Sequence, residues 1–572
     1  RITDRIIIDP ACGSGSFLVK ILRHVWKVYH DIDQHTRWAT QTSGTGLFDE
    51  PKDISNRREA IKNIRKVLRI GKDAFNGISA VSAVILRHLY GMDLDEKAIG
   101  VAKVNIWKEA VKLSPGCFRA EAMPQHIDHA LPALEMNLVH ANTLVDLPFD
   151  ETMDILINRC KSDIINLSAI RNAYLDNPLD PSVLSQLNGI KLRLRKVLTR
   201  AFKKKDFYLD TRPAFLPMEF FFCFFDSNGD KLVESDRGFS GVIGNPPYVR
   251  ADSGDEHLSL RNSLEKSGIY ETLWEKWDLY IPFMERGYKL LKDNGYETMI
   301  VSDAYCHSKY AQKSQLWFLK NATVLRIDYL SDLDLFDGAA VHNVICLFKK
   351  SNGSLSQPER RIHEDSFGKY RVLPTNEQAN LTHRVFFPGE ESDYTCNIPT
   401  ILLSDICYVS KGMVVNADEK TAKGAFSMED LVLSIKDATH PKPFVEGKHL
   451  ERWLPATNKW LEWDTERAPA LFSRPTFPEF YEVQEKILVQ RSPGPDPKAC
   501  YDKENLHFTE SSVGIVPWHY LSGVRNKSLQ KASRYADEKP RSDLPRREDL
   551  EATSRRFDIK FLLAVMNSDA AC

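Results

Sequence analysis

The sequence predicts an α/β protein built on a parallel sheet covered on both faces. Three observations carry that expectation. A short apolar run, "RIIID", is followed by a glycine turn and by the helically spaced "FLVKILRHVWKVY". The same unit recurs in "VSAVILRHLYGMDLD" with "EKAIGVAKVNIWKEAV", and the apolar "GFSGVIG" stops against Pro246 and Pro247. Strands separated by helices pair in parallel and bury both faces of their sheet.

Taken in order, the first strand ends at Asp9 and the glycine turn opens a helix, after which residues 30 to 80 are mixed and polar. The second strand ends in Asp93 and Asp95, and "MNLVHANTLVD" (136 to 146) gives a third strand and turn. A helical insertion, about 150 to 210, contains the basic "KLRLRKVLTRAFKKKDF" and precedes the fourth strand, "GFSGVIG". "DLYIPFMERGYKLL" is helical, "YETMIVSDAY" and "VLRIDYL" are strands, and "DGAAVHNVICLFKK" closes with another, so the sheet is expected to be complete near residue 350. "SNGSLSQPERR" then opens a linker over 351–384. Residues 385–572 form a second, mixed α/β domain, rich in Pro and Trp, with short strands such as "KILVQRS". Within it, 525 to 556 carries many charges and few apolar side chains and reads as solvated loop or disorder. The chain opens at Arg1 without Met and stops in the apolar "FLLAVMNSDAAC", which reads as a fragment truncated at its C-terminus.

Lys and Arg number 77 against 78 Asp and Glu, so no global charge marks a nucleic-acid surface and any such surface must be a local patch. The ten cysteines include no Cys-x-x-Cys pair and no His/Cys cluster at zinc spacing, which predicts reduced thiols, a cytoplasmic protein and no metal. The most apolar stretch, "FLPMEFFFCFF", is interrupted by Glu219 and is too short to span a bilayer, so no membrane partner is expected.

Two stretches carry chemistry. In "DPACGSGSF", Gly13 and Gly15 permit a tight turn that brings backbone close to a ligand at a helix N-terminus. The Lys-Ser/Thr pair of a P-loop and the third glycine of the dinucleotide fingerprint are both missing, so a ligand other than a nucleotide phosphate is favoured. Asp93 is placed to accept from ribose hydroxyls, or equally to cap the next helix, as Asp95 does. In "GVIGNPPYVR" neither proline can donate to a ladder, so the chain turns stiffly after Gly244. Alone, that is better explained by a structural Pro-Pro turn.

Together, "DPACGSGSF", "GMDLDEKAIGVAKVN", "HANTL" and "GNPPYV" resemble a gamma-group N6-adenine DNA methyltransferase of the large type IIG restriction-modification or BREX phage-defence kind. The resemblance implies a Rossmann-like S-adenosylmethionine-dependent methyltransferase sheet with helical insertions over 1–350, followed by a mixed α/β DNA target-recognition domain over 385–572. It implies S-adenosyl-L-methionine as cofactor, lined by Asp9, Pro10, Ala11, Gly13, Gly15, Phe17, Asp93 and Asn142, the last standing where the family often has Asp. Asn245, Pro246, Pro247 and Tyr248 take the catalytic positions; Tyr248, Arg250 and Phe336 take the substrate positions. Leu94 and Ile99 are expected in the core. Double-stranded DNA and restriction or BREX subunits are the implied partners.

The chemistry of an aromatic amine fits that motif. Its lone pair is delocalised into the ring, so attack on a methyl sulfonium needs acceptors that hold the NH2 hydrogens, and the Asn245 side-chain oxygen and the Pro246 carbonyl supply two. Stiff prolines fix where those acceptors point. The base must leave the duplex to be reached, and stacking on Tyr248, about 1–3 kcal/mol, offsets much of the few kcal/mol that extrusion costs. A protein-glutamine methyltransferase shares the motif but is short, and a DNA-binding fragment without activity is the third reading. "KLRLRKVLTRAFKKK" either contacts phosphate or is a solvated helix face, with Arg250 the better phosphate candidate. "FVEGKHLERW" and "KILVQRS" resemble target-recognition segments.

Overall fold

The computed structural model describes residues 4–42, 78–113, 132–176, 180–250, 254–330, 342–351, 353–388, 401–415, 426–454, 459–465, 477–491, 498–538 and 544–568, with a few isolated positions. The chain divides into two units, Arg1–Tyr394 and Thr395–Cys572.

The first unit is a doubly wound sheet. β1 (Ile7–Asp9) leads through the glycine turn into α1 (Ser16–Thr42). α2 (Ile78–His88) runs straight into β2 (Leu89–Asp93), which is followed by α3 (Glu96–Leu113) and β3 (Leu138–His140). The helices expected between 150 and 210 are α4 (Phe149–Asp176) and α5 (Pro181–Phe202). β4 (Phe239–Gly244) ends at the Asn-Pro-Pro bend; α6 (Asp255–Ser267), α7 (Tyr280–Leu290) and β5 (Leu291–Ser302) follow. α8 (Gln312–Asn321), β6 (Thr323–Tyr329) and β7 (Asn343–Lys349) come next.

The sheet continues past residue 350, against expectation. β8 (Glu359–His363) pairs parallel with β6, and β9 (Tyr370–Leu373) pairs antiparallel with β8, giving the order β3-β2-β1-β4-β5-β7-β6-β8-β9. Residues 359–373, assigned to a linker on sequence, therefore extend the sheet. Their charges hid them: Arg360 is only 1% exposed, and its guanidinium donates to the carbonyls of Pro374 and Phe387 and to the Tyr329 hydroxyl. β1 to β5 are mutually parallel, and β7 enters antiparallel between β5 and β6.

Close packing explains two glycines. A Cβ at Gly91 would fall 2.9 Å from side-chain atoms of both Leu138 and Leu18, and one at Gly15 would fall 3.0 Å from Ala102 Cβ, so α1 and α3 lie against the sheet only because these positions have no side chain. "FLPMEFFFCFF" is interior, as its apolarity requires: Phe215, Phe220 and Phe221 are fully buried, each contributing roughly 1.5–3 kcal/mol by leaving water. Its Glu219 is held as the anion at about 2, because burial, which alone would raise it, is outweighed by Lys191 and Arg195.

The second unit holds two four-stranded sheets. β10 (Cys407–Lys411), β11 (Val432–Leu433), β12 (Lys442–Val445), β13 (Lys459–Leu461), β14 (Lys486–Gln490), β15 (Ala499–Asp502), β16 (His507–Phe508) and β17 (Ser512–Pro517) assemble as β10-β17-β14-β15 and β11-β13-β12-β16. The charged stretch from 525 to 556, expected to be solvated, contains the helix Arg547–Ser554 and is tied down by a buried arginine. Arg547 lies 4.3 Å over the Trp518 ring and donates to Glu551, Ser533 and the Leu521 carbonyl. Among the described residues no helix is long and apolar enough to cross a membrane.

Candidate active site

β1 and β4 are parallel neighbours, with Ile8 opposite Val242, so their carboxyl ends open side by side. One end carries the "DPACGSG" turn and the other the "NPPY" bend. Ligands of open α/β sheets bind outside these strand ends, where the strand order reverses, which here is between β1 and β4.

The first turn is built from the backbone. Gly13 and Gly15 have φ of +50° and +79°, which side-chain-bearing residues seldom adopt. The Gly13 N–H donates to Asp93 Oδ2 at 2.8 Å, the other Asp93 oxygen accepts from Asp95 N at 2.9 Å, and Cys12 N donates to the Met92 carbonyl at 3.0 Å. Asp93 thus braces the glycine turn and the residue that precedes α3 together. Two further side chains hold the loop from outside: Thr143 Oγ1 donates to the Pro10 carbonyl at 2.7 Å, and Asn105 Nδ2 to the Ser14 carbonyl at 2.9 Å.

Asp9 is 1% exposed. Its Oδ1 accepts from Ala11 N at 3.1 Å, while Oδ2 is buried with no hydrogen-bond partner among the described residues. Burial pushes the carboxyl up to about 7, with the Ala11 N–H pulling it down and the charge of Asp93 adding to the rise. Nothing lies within 4 Å of where a Gly13 Cβ would stand. An orphan carboxylate oxygen and an open place over a glycine turn suit a cationic ligand with polar hydroxyls. Phe17 is half-buried, Pro10 is buried and Ala11 is half-buried at the same turn.

Asn142 follows β3. Its backbone pairs with Arg212 and Pro213, and its side-chain oxygen accepts from Leu144 N at 3.1 Å. Of the two apolar residues expected in the core, Ile99 is buried but Leu94 is 54% exposed, because it lies just past the carboxyl end of β2, outside the sheet.

At the second turn, Asn245 Oδ1 is buried without a hydrogen-bond partner among the described residues, Pro246 is buried, and Pro247 is exposed. Tyr248 is half-buried and its ring meets Tyr280 edge-on at 6.4 Å. Its hydroxyl is fully engaged: it donates to the Ile300 carbonyl at 3.1 Å and accepts from Asn343 Nδ2 at 3.2 Å. Burial raises this phenol well above its ordinary range, so it stays protonated. Arg250 is exposed and its backbone bridges to Asp278; Phe336 lies outside the described residues.

The strand ends therefore bring together Asp9, Gly13, Asp93 and the Asn245 bend. Sequence reasoning missed Thr143, Asn105, Asn343 and the exposure of Leu94. Thr143 and Asn343 stand inside quoted stretches, "HANTL" and "VHNVICLFKK", yet nothing local marks their contacts.

An α/β sheet with a glycine turn and an Asn-Pro-Pro turn at adjacent strand ends has the topological switch point at which open α/β sheets bind ligands. Residues 87–336 match the family model described as Eco57I restriction-modification methylase. That stretch is less than half of the chain, and type II methyltransferases are among the proteins to which the chain is similar. It is 22% identical over 402 residues to a putative type II restriction enzyme and methyltransferase, RM.MjaORFECS2P of Methanocaldococcus jannaschii, covering 60% of this chain and 30% of that protein. It is 30% identical over 95 residues to the type II methyltransferase M.BstVI of Geobacillus stearothermophilus, covering 17% and 16% respectively. Both relatives are thus matched over less than a third of their length. Among solved structures, the type IIL restriction-modification enzyme MmeI in complex with DNA aligns over 90% of this chain and 57% of its own, at 12% identity and a TM-score of 0.44.

Proposed function

We propose that this chain is the methyltransferase part of a restriction-modification or phage-defence enzyme, transferring a methyl group from S-adenosylmethionine to N6 of an adenine extruded from double-stranded DNA. The observation that carries the reading is the buried Asn245 Oδ1, unpartnered among the described residues, beside the Asp9 turn. A buried acceptor without a donor costs about 1–3 kcal/mol, and a substrate amine that donates to it recovers that cost.

Asp9, Gly13, Phe17, Asp93 and Asn142 would hold the cofactor, whose contribution when bound is an electrophilic methyl group on a sulfonium. Asp93 offers carboxylate oxygens to ribose hydroxyls, and Gly13 leaves room for close backbone approach. The orphan oxygen of Asp9 would place favourable charge beside a cationic ligand. Asn245 Oδ1 and the Pro246 carbonyl accept from the adenine amine, drawing its nitrogen toward the tetrahedral geometry that frees the lone pair. Because the prolines hold both oxygens in place beforehand, little reorganisation is needed in the transition state. Tyr248, with its hydroxyl committed within the protein, recognises the base through its ring face. Pro247 and Arg250 lie exposed at the same bend, where the duplex would pass. By the same resemblance, residues 385–572 read the target sequence in the major groove, and restriction or BREX subunits are the protein partners.

The test is incubation with duplex DNA and tritiated S-adenosylmethionine, followed by digestion to nucleosides. Label in N6-methyladenine supports the reading. Label in cytosine or in a protein glutamine contradicts it.

A further inference from the structure

The basic run on α5 divides cleanly. Four of its cations are used inside the protein: Lys191 and Arg195 pair with the buried Glu219, Arg193 with Asp163 at 2.7 Å, and Lys205 with Glu151 at 2.7 Å. Lys196, Arg200 and Lys204 are exposed and have no anionic partner among the described residues. Lys196 and Arg200 stand four apart on the helix, with Leu192, 56% exposed, above them, and Lys204 follows in the turn just after its end, its N–H donating to the Ala201 carbonyl at 3.2 Å. The acids of α4 that reach α5 go to Arg193 and Lys205, so the row is left without acids while its neighbours are neutralised.

The helix dipole favours cations in a last turn, which accounts for Arg200 and Lys204 but not for Lys196, two turns earlier. The four-residue step from Lys196 to Arg200 rises roughly 6 Å along the helix, and the turn carries the charges further to Lys204, against phosphates spaced about 3.4 Å along the axis of each DNA strand. Just beyond the row, the Phe207 carbonyl accepts from Ser263 Oγ at 2.6 Å. Ser263 lies on α6, the helix that follows the Asn-Pro-Pro-Tyr bend, so the lower end of the row stands beside the segment leaving the candidate site.

We propose that Lys196, Arg200 and Lys204 grip phosphates of the duplex that carries the target base. The proposal rests on the reading of the chain as a DNA methyltransferase. Because the chain as a whole carries a net charge of only −1, these three cations supply a local positive surface that net charge does not.

The test compares the full chain with a Lys196→Gln/Arg200→Gln/Lys204→Gln variant, and with a Lys196→Arg/Lys204→Arg variant that keeps the charge. Duplex binding is measured from low to moderate salt. The slope of log affinity against log salt should become shallower by about 2–3 in the glutamine variant, at roughly 0.9 per phosphate released, and stay unchanged in the arginine variant. Site preference should be unaltered, since phosphates carry no sequence. An unchanged slope in a folded glutamine variant, with wild type binding DNA, would overturn the proposal. So would loss of binding to polyglutamate with the DNA slope intact, which would assign the face to an acidic protein. A wild type that neither binds nor methylates DNA would overturn the methyltransferase reading itself, and this proposal with it.

Discussion

A side-chain carbon at position 244 would stand 3.3 Å from Asp9 Oδ1 and 3.6 Å from Pro10 Cδ, so Gly244 and Asp9 bring the two turns into close approach with no room for a larger side chain between them. A branched side chain there must push one turn from the other. Gly244→Val is expected to weaken cofactor binding and methyl transfer together, by tenfold or more if the turns move by about 1 Å. Gly100→Ala is the control: it lies on the exposed face of α3 with nothing within 4 Å, and should stabilise the protein by about 1 kcal/mol without touching activity. Calorimetric titration and urea unfolding of both variants check this.

Asp9 predicts a pH dependence of cofactor affinity. Its folded pKa, about 7, is raised above the unfolded value near 3.8, so its contribution to stability is fully present below about 3.8 and is lost as pH rises through about 7. A cation-bearing ligand binds the carboxylate form better. Affinity for S-adenosylmethionine should therefore strengthen as pH rises toward 7, by up to about tenfold per unit, and level off above it. Asp9→Asn should bind weakly and without that slope. Titration of both proteins across this range reads the effect; a wild-type affinity that does not vary with pH would count against an Asp9 contact.

Asn343 should act through Tyr248. Because the Tyr248 hydroxyl both donates to Ile300 and accepts from Asn343, the ring plane is fixed from two sides. Tyr248→Ala loses the stacking face and should cost about 1–3 kcal/mol in substrate binding, whereas Tyr248→Phe keeps the face and loses only its anchoring. Asn343→Ala should slow the native enzyme by severalfold but have little further effect in a Tyr248→Phe background. A double-mutant cycle on kcat/KM measures this coupling, and additive effects would show that Asn343 does something else.

Glu297 predicts a stability effect outside the site. It is completely buried on β5, neither carboxyl oxygen has a hydrogen-bond partner among the described residues, and burial alone raises it well above 4.5. The sign is that of a raised carboxyl: its contribution is complete below about 4.5 and declines as pH rises toward the folded value. Glu297→Gln, neutral and of the same shape, should be more stable than wild type at neutral pH and show a flatter dependence as pH rises above 4.5. Urea midpoints across that range decide it.

The fold was legible where periodicity is strong. The strands up to β7 and their alternation with helices follow from apolar spacing, and the two turns follow from residues whose backbone freedom is special, Gly13, Gly15 and the Pro246-Pro247 pair. What escaped was charge buried by remote partners. Arg360 and Arg547 make their segments look like solvent-exposed chain, because a local reading cannot see carbonyls and rings that arrive from elsewhere in the sequence. The supporting residues of the candidate site were hidden for the same reason: Asn343 reaches Tyr248 across 95 positions, Thr143 reaches Pro10 across 133, and Asn105 reaches Ser14 across 91. Leu94 looked like core because its composition is apolar, yet it lies just past the end of β2.

The most direct measurement is methyl transfer by Asn245→Ala, read beside its affinity for S-adenosylmethionine. The account predicts that the variant binds cofactor as wild type does, since Asn245 belongs to the substrate side, while transfer to duplex adenine falls by roughly a hundredfold or more for loss of one preorganised polar group. Transfer at a near-native rate in a variant that still binds cofactor would contradict it.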